Sequence, residues 1–116
     1  MTDERDCIFC QIAAGNFQTP FLVETDSVVA FDDVAPQAPT HVLIVPKRHL
    51  TSIAALTREH DALLGEILEA ANEIATQRGI DDAGFRLLTN VGPDAGQTVF
   101  HLHWHLLGGR PLSALA

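Results

Sequence analysis

Apolar side chains recur at helical spacing in one long stretch of the chain, between residues 57 and 79. The members of this stripe are Leu63, Leu64, Ile67, Leu68, Ala71, Ile74 and Ala75. Thr57 precedes the stripe and can cap the first turn, where the acidic Glu59 and Asp61 suit the positive end of the helix dipole. Gly79 follows the stripe and is a suitable C-cap. The pattern therefore predicts one long amphipathic helix.

Shorter apolar runs, separated by turn residues, predict strands. The predicted strands span residues 21–24, 28–33, 41–46, 85–90 and 99–107. The turn residues Thr25-Asp26-Ser27 separate the first two, so we expect a β-hairpin there. The third strand, His-Val-Leu-Ile-Val-Pro, has apolar residues on both faces, which is typical of a central strand.

The remaining segments predict a short helix and two loops. Residues 7–14 predict a short helix that ends at Gly15-Asn16. Pro36 and Pro39 restrict their own backbones and those of the residues before them, so this segment forms a loop. Residues 92–96, Gly-Pro-Asp-Ala-Gly, predict a flexible loop. Strands with one amphipathic helix predict an α+β fold, in which a mainly antiparallel sheet is covered on one face.

The length and the charge of the chain limit the function classes. Its 116 residues fit a single domain, residues 1–116, with a small core that a dimer interface or a structural metal would supplement. The net charge of −8 argues against a nucleic-acid partner, although a cleft can still hold a small phosphorylated ligand through backbone N–H groups. The start is acidic and no apolar run approaches about 18 residues, so we expect no membrane partner and a soluble, cytoplasmic protein.

Two cysteines form a Cys-x-x-Cys motif near the start, at Cys7 and Cys10. In a reducing compartment such a pair is typical of a metal or redox site rather than of a structural disulfide. The redox interpretation needs a preceding strand, which the polar residues before Cys7 do not supply. A zinc site needs two more ligands, for which His49 and His101 are candidates, and a Cys2His2 set would be structural. The alternative is two small buried cysteines beneath a turn.

Three histidines occupy every second position of the last predicted strand, at His101, His103 and His105. Alternate residues of a strand share one face, so the three imidazoles point one way and Leu102, Trp104 and Leu106 point into the core. Imidazole can ligate a metal, and near neutral pH it can act as a nucleophile or as a general acid or base. A solvated polar face is the remaining alternative.

The loop before these histidines carries further polar groups. Asn90 ends the fourth predicted strand, and Gly92 and Gly96 allow the backbone to approach a ligand closely. Thr98 adds a hydroxyl group just before the last strand. Such a loop is consistent with an anion cradle, but without the histidines an ordinary turn is the better interpretation.

The run His-Leu-His-Trp-His-Leu-Leu resembles the motif of the histidine triad (HIT) family, in which three histidines alternate with apolar residues. The segments CIFCQIAAG, VVAFDDVAPQAPTHVLIVPKRH and TNVGPDAGQTVFHLHWHLLGGR extend the resemblance, specifically to its Hint branch, over nearly the whole chain. The resemblance implies a HIT fold whose sheets join across a homodimer. It also implies a purine nucleotide-binding hydrolase that cleaves the P–N bond of nucleoside 5′-phosphoramidates.

The resemblance also implies roles for residues of the triad and its surroundings. His103, the middle histidine, would attack phosphorus and form a nucleotidyl-histidine intermediate. His41, on the adjacent strand, would supply the proton relay and fix the tautomer, and His105 would contact phosphate oxygens. The groups expected to cradle the phosphate are Gly96, Thr98 and the Val99 N–H.

The remaining implied positions bind the nucleoside and a metal. Asp33 would accept hydrogen bonds from the ribose, and Asn90 would lie near the phosphate and ribose. The apolar slot for the base would include Phe9, Ile12, Phe31 and Leu43. Matching by position gives a structural Zn²⁺ site of Cys7, Cys10, His49 and His101.

Two features depart from the family pattern. The tail after Gly-Gly-Arg, PLSALA, lacks the tryptophan of better-known Hint proteins, which leaves the leaving-group preference open. Trp104 stands where an aliphatic residue is usual.

The alternatives to a phosphoramidate hydrolase are a dinucleoside polyphosphate hydrolase, a nucleotide-binding regulatory protein with weak catalysis, and a zinc hydrolase that uses the triad as ligands. The last needs a carboxylate near His103, and none is evident in the sequence.

Overall fold

The computed structural model describes residues 6–115; the acidic start, residues 1–5, and residue 116 lie outside this range. The helices and strands are α1 (Ile8–Ala13), β1 (Val23–Glu24), β2 (Val28–Asp32), β3 (Thr40–Pro46), α2 (Asp61–Gln77), β4 (Phe85–Leu88) and β5 (Trp104–Gly108). Three short 3₁₀ turns cover Ile53–Ala55, Arg58–His60 and Pro93–Ala95. This order confirms the predicted α+β fold, with one short and one long helix.

The five strands form one antiparallel sheet in the order β1-β2-β3-β5-β4. The predicted hairpin is present as β1 and β2, which pair at Val23 with Ala30. β3 lies third in the order, and all seven of its residues are buried, as expected of an apolar central strand. β4 lies at the edge of the sheet.

The two faces of the sheet carry different clusters of apolar side chains. On one face, strand residues such as Ile44 and Trp104 pack with Ile67 and Ile74 of α2 to form the larger cluster. On the other face, Phe9 of α1 packs with strand residues of a second cluster. The members of the second cluster are Cys7, Phe9, Val29, Phe31, Leu43 and Val45. The expectation of a sheet covered on one face was therefore incomplete, because α1 covers part of the other.

The long helix differs from its prediction at its start and in its buried stripe. Thr57 caps the 3₁₀ turn Arg58–His60, and the α-helix itself begins at Asp61. Leu68, predicted to be buried, is 55% exposed, whereas Ala70 is buried beside Ala71. The sequence pattern alone could not show which edge of the apolar stripe faces the sheet.

The last strand is shorter than predicted, because residues 99–103 do not join the ladder and β5 begins at Trp104. Pro46, at the end of β3, has no backbone N–H and so cannot donate a hydrogen bond to the last strand. Its carbonyl oxygen lies 2.8 Å from Nε2 of the His101 side chain instead. The Leu102 N–H donates to the Leu50 carbonyl, and the His103 carbonyl accepts from the Thr89 hydroxyl. His101 and His103 thus precede the strand, while Leu102, Trp104 and Leu106 enter the core as predicted.

No helix within residues 6–115 is long and apolar enough to cross a membrane.

Candidate active site

A cleft of about 440 Å³ opens between α1 and the sheet face that carries the second apolar cluster. Its volume falls in the range of about 300–1,000 Å³ that small-molecule sites occupy. The apolar lining residues are Ile8, Phe9, Ile12, Phe17, Phe31, Val34, Leu43 and Val99, and the polar ones are Thr19, Asp32, Asp33, Thr98, His103 and His105. The cleft therefore combines an apolar slot with a group of polar side chains.

His103 is held with a free nitrogen lone pair. Its Nδ1 lies 2.7 Å from the His101 carbonyl oxygen, which can only accept, so Nδ1 carries the hydrogen and donates it. The other ring nitrogen, Nε2, then keeps its lone pair. The ring of Phe9 meets the His103 ring edge-on, with centroids 4.9 Å apart, and fixes its orientation. This arrangement prepares Nε2 for nucleophilic attack.

His41 and His105 are joined by a direct hydrogen bond whose direction the backbone determines. The Gln37 N–H donates to Nδ1 of His41 over 3.0 Å, so the His41 hydrogen is on Nε2. That Nε2–H donates to Nδ1 of His105, 2.9 Å away. His105 must then carry its own hydrogen on Nε2. The two bonds leave His105 with an N–H to offer to a ligand in the cleft.

This geometry corrects the expected partner of His41. The family resemblance implied that His41 would supply the proton relay and fix the tautomer of the nucleophile. In the structure the hydrogen-bond partner of His41 is His105, and the tautomer of His103 is fixed by the His101 carbonyl. The difference arises because residue 103 lies before β5, whereas His105 lies within β5 next to β3.

Asp33 lies beside this pair just after β2. Its Oδ2 is 3.4 Å from Nε2 of His41, and its Oδ1 accepts the Ala35 N–H over 2.8 Å. The Asp33 N–H donates to the His41 carbonyl oxygen, which ties the end of β2 to the start of β3. The negative charge of this carboxylate disfavours the loss of a proton from either imidazole and stabilises an imidazole that gains one.

Burial keeps His105 neutral at physiological pH. Desolvation, with smaller contributions from His103 and His41, lowers the pKa of His105 from 6.5 to about 4, and Asp33 opposes the shift. The rings of His103 and His105 lie 5.1 Å apart between centroids. His105 is thus a neutral imidazole beside His103.

A second constellation, of two cysteines and two histidines, adjoins the cleft. One potential ligand atom from each of Cys7, Cys10, His49 and His101 lies within 4.8 Å of every other. Nδ1 of His101 is 3.3 Å from both sulfur atoms, and Nδ1 of His49 is 3.2 Å from Sγ of Cys10. Tetrahedral zinc, with bonds of about 2.3 Å to sulfur and about 2.0 Å to nitrogen, would separate such atoms by about 3.5 Å.

The tautomer of His101 also fits a metal ligand. Its Nε2 lies 2.8 Å from the Pro46 carbonyl oxygen and must donate there, so the Nδ1 lone pair faces the sulfurs. Burial, opposed by that hydrogen bond, lowers the pKa of His101 to about 4 and keeps the ring neutral. Neither Cys7 nor Cys10 forms a disulfide. The four residues therefore fit zinc by donor type, by spacing and by tautomer.

The loop of residues 92–98 is organised by a residue that the sequence analysis did not select. The buried Gln97 accepts the Gly92 N–H over 2.8 Å and donates to the carbonyl oxygens of Thr51 and Val99. The predicted flexible segment is instead a turn with one 3₁₀ step, Pro93–Ala95. A lone glutamine gives no sequence signal for such a role.

The structure brings most of the predicted binding residues to the cleft, but not all of them. Phe9, Ile12, Phe31, Leu43, Asp33, Thr98 and Val99 line it. Asn90 and Gly96 are not among the lining residues. Phe17 and Thr19 line it as well, although the sequence analysis did not select them, because a single aromatic or hydroxyl residue in a turn carries no periodic signal.

Comparisons with known proteins give matches over nearly the whole chain. The family model described as "HIT domain" matches residues 14–112. The purine nucleoside phosphoramidase of Escherichia coli K12 is 40% identical over 111 residues, which cover 96% of this chain and 93% of that protein. An uncharacterized HIT-like protein of Synechocystis is 50% identical over 109 residues, covering 94% and 95%.

Solved structures match the fold over the same extent. A histidine triad protein from Clostridium difficile has a TM-score of 0.92 and 40% identity, covering 99% of this chain and 100% of that one. A HIT family hydrolase from Clostridium thermocellum has a TM-score of 0.90 and 42% identity, covering 95% and 96%.

Proposed function

The chain belongs to the HIT domain family, and from its site we propose that it cleaves the P–N bond of purine nucleoside 5′-phosphoramidates through a nucleotidyl-His103 intermediate. One observation carries the proposal: His103 lines the cleft with Nδ1 bonded to the His101 carbonyl, which leaves Nε2 as a nucleophile. The similarity to a purine nucleoside phosphoramidase supports the choice of substrate class.

The proposed reaction has two displacement steps. In the first, Nε2 of His103 attacks the α-phosphorus, the P–N bond breaks, and the amine leaves. In the second, water attacks the same phosphorus and releases His103. In the first step the departing amine takes a proton from solvent, and in the second step the attacking water gives a hydroxyl group to phosphorus and returns a proton to solvent. The covalent intermediate divides one difficult displacement into two easier ones.

Three groups stabilise charge on the phosphate in this proposal. His105 presents its Nε2–H to a phosphate oxygen, because its Nδ1 is already occupied by His41. Thr98 and Val99 also line the cleft, and in this proposal the Thr98 hydroxyl and the Val99 N–H donate to the phosphate as well. Donors fixed in advance stabilise the developing charge without reorganisation during the reaction.

The nucleoside occupies the apolar part of the cleft in this proposal. The base packs against the edge-to-face pair of Phe9 and Phe31, whose ring centroids are 6.0 Å apart, and contacts Ile12 and Leu43. Asp33 accepts hydrogen bonds from the ribose hydroxyl groups. Asn90 and Gly96 act indirectly in this scheme, since neither lines the cleft.

A metal-dependent hydrolase is less well supported, although the carboxylate that it needs is present. Asp33, His41 and His105 place three potential ligand atoms within 4.8 Å of one another, which the sequence did not make evident. The Gln37 N–H occupies Nδ1 of His41, however, so the hydrogen of that ring is on Nε2. A protonated Nε2 cannot ligate a metal, and a change of tautomer would turn two N–H groups toward each other.

We also propose that Cys7, Cys10, His49 and His101 hold a structural Zn²⁺. The ion would tie α1 to the segment after β3, which carries His49, and to the segment before β5, which carries His101. Cysteines that form no disulfide suit a reducing compartment, which supports a cytoplasmic location.

A homodimer is proposed on the basis of two exposed surfaces. β4 is an edge strand with Phe85 36% exposed, and Leu68 projects from α2 with 55% exposed. Exposed edge strands and large apolar side chains are the features that a second copy would cover.

Comparison of two substrates tests the proposed function. Purified protein is incubated with adenosine 5′-phosphoramidate and, separately, with a diadenosine polyphosphate. We expect turnover of the phosphoramidate and its loss in His103→Ala, with circular dichroism showing that the variant is folded. Turnover of the polyphosphate alone would instead assign the chain to dinucleoside polyphosphate hydrolysis.

A further inference from the structure

The Gly-Gly-Arg motif that ends β5 has no role in the site described above. Gly109 has a φ of +97°, and a Cβ built on it would lie 2.8 Å from Cβ of Pro39. A Cβ on Gly108 would lie 2.7 Å from Cδ1 of Ile80. Glycine at position 108 therefore lets β5 pass close to Ile80, which follows α2, and glycine at position 109 lets the chain pass close to the loop between β2 and β3. This close approach places Arg110 beside that loop.

Arg110 holds the loop through one backbone carbonyl. Its Nη2 donates to the Gln37 carbonyl oxygen over 2.7 Å, and its Nη1 donates to the Pro111 carbonyl oxygen over 2.9 Å. A guanidinium group is always charged and planar, so these are charge-assisted bonds of fixed direction. The clamp determines where Gln37 lies relative to β3.

Gln37 is also the residue that orients the His41–His105 pair. Its N–H donates to Nδ1 of His41 over 3.0 Å, and His41 in turn donates to His105 over 2.9 Å. Three hydrogen bonds thus connect the guanidinium group, through Gln37 and His41, to His105 in the cleft. If the Gln37 N–H moved away, His41 could hold its hydrogen on either nitrogen, and His105 would no longer be confined to the Nε2–H tautomer.

We propose that Arg110 is a positioning residue for the catalytic pair: by holding the Gln37 carbonyl it fixes the tautomers of His41 and His105. The tautomer effect depends only on the hydrogen bonds given above. The effect on rate rests on the proposed function, because it requires that the N–H of His105 contact the phosphate during turnover.

Imidazole nitrogen NMR tests the proposal directly, because the ¹⁵N shifts distinguish protonated from unprotonated ring nitrogens. In the unaltered protein we expect single Nε2–H tautomers for His41 and His105 near neutral pH. In Arg110→Gln we expect averaged ¹⁵N shifts for both rings, with kcat/KM for adenosine 5′-phosphoramidate reduced about three- to tenfold. Arg110→Lys keeps a charged donor and is expected to restore part of the tautomer signal.

Arg86→Gln is the matched control. Arg86 also donates to a backbone carbonyl of the tail, that of Ser113 at 3.0 Å, but among the described residues it forms no hydrogen bond to Gln37. We expect its tautomer signals and rate to equal those of the unaltered protein. Gly109→Ala, which strains the backbone next to Arg110, is expected to reproduce the averaged shifts.

The outcomes separate this proposal from the proposed function. Unchanged His41 and His105 shifts in Arg110→Gln would overturn the positioning role, and so would an equal change in Arg86→Gln. Averaged shifts in a protein that does not turn over phosphoramidates would contradict the proposed function and leave the positioning role supported.

Discussion

Each histidine of the triad has its tautomer set by a different partner. His101 donates to the Pro46 carbonyl, His103 donates to the His101 carbonyl, and His105 accepts from His41. The free lone pair therefore faces the cysteines in the first case and is left for a ligand in the second, while the third presents an N–H. Three side chains of one type are thus equipped for three different tasks.

The lowered pKa of His105 predicts a pH-dependent stability. The unfolded chain takes up a proton on this residue as pH falls below about 6.5, whereas the folded protein does so only near pH 4. Proton binding then favours the unfolded state, so the free energy of unfolding should decrease as pH falls through this window and stay level above it. Urea denaturation of the unaltered protein and of His105→Gln at several pH values measures the effect.

The variant should show a shallower dependence of the unfolding free energy on pH. Identical slopes in the two proteins would contradict the assignment of a low pKa to His105. The comparison is restricted to pH values at which both proteins unfold reversibly in a single transition.

At the scale of elements, the strands and helices were largely predictable because their apolar patterns are strong. The continuous apolar run of β3 and the apolar stripe of α2 reflect burial alone, so the pattern of apolar residues in the sequence is enough to predict them. The start of β5 was not predictable. It is set by tertiary hydrogen bonds, from His101 to Pro46 and from Thr89 to His103, that no local pattern encodes.

Site residues followed the same division. Residues on regular elements, such as Phe31 and Leu43, were expected in the cleft and lie there. Asn90 was expected from the family pattern but does not line the cleft. Gln37 was missed because it acts through its backbone N–H, where the identity of the residue carries little signal. Gln97 was missed because a single glutamine side chain in a loop forms no pattern.

The loop before β5 depends on the side chain of Gln97. Gln97→Ala removes the partners of one N–H and two carbonyl groups, so the free energy of unfolding should fall by about 1–3 kcal/mol. The Michaelis constant should also rise, because Thr98 and Val99 would lose their support. Thermal denaturation and steady-state kinetics measure both effects.

Gln77→Ala serves as the control, since Gln77 lies exposed on α2 and bonds to Glu73. Its stability and kinetics should equal those of the unaltered protein. Equal effects of the two substitutions would refute the organising role of Gln97.

In the whole molecule, the cysteine and histidine cluster joins α1 to the segments that carry His49 and His101, next to the cleft. α1 contributes Phe9 and Ile12 to one wall, and its N-cap is Cys7. His101 belongs to the cluster, and its carbonyl orients His103, the proposed nucleophile. Any change at the cluster should therefore alter both global stability and the active site.

Removal of zinc provides the corresponding prediction. A bound ion stabilises the folded state by mass action, so chelation should lower Tm and addition of Zn²⁺ should restore it. Cys10→Ala should abolish the response, whereas Cys10→His, which keeps a ligand atom, should retain part of it. A purified protein that holds no zinc, and whose Tm does not respond to the ion, would contradict the structural site.

The central claim, that His103 becomes covalently bonded to the nucleotide, is tested most directly by trapping the intermediate. The protein is mixed with adenosine 5′-phosphoramidate, quenched rapidly in denaturant at alkaline pH, and analysed by intact-protein and peptide mass spectrometry. The account predicts one adenylyl group on the peptide that contains His103, and none in His103→Gln. Turnover without any adenylylated peptide in the unaltered protein, together with undiminished turnover in His103→Gln, would contradict it.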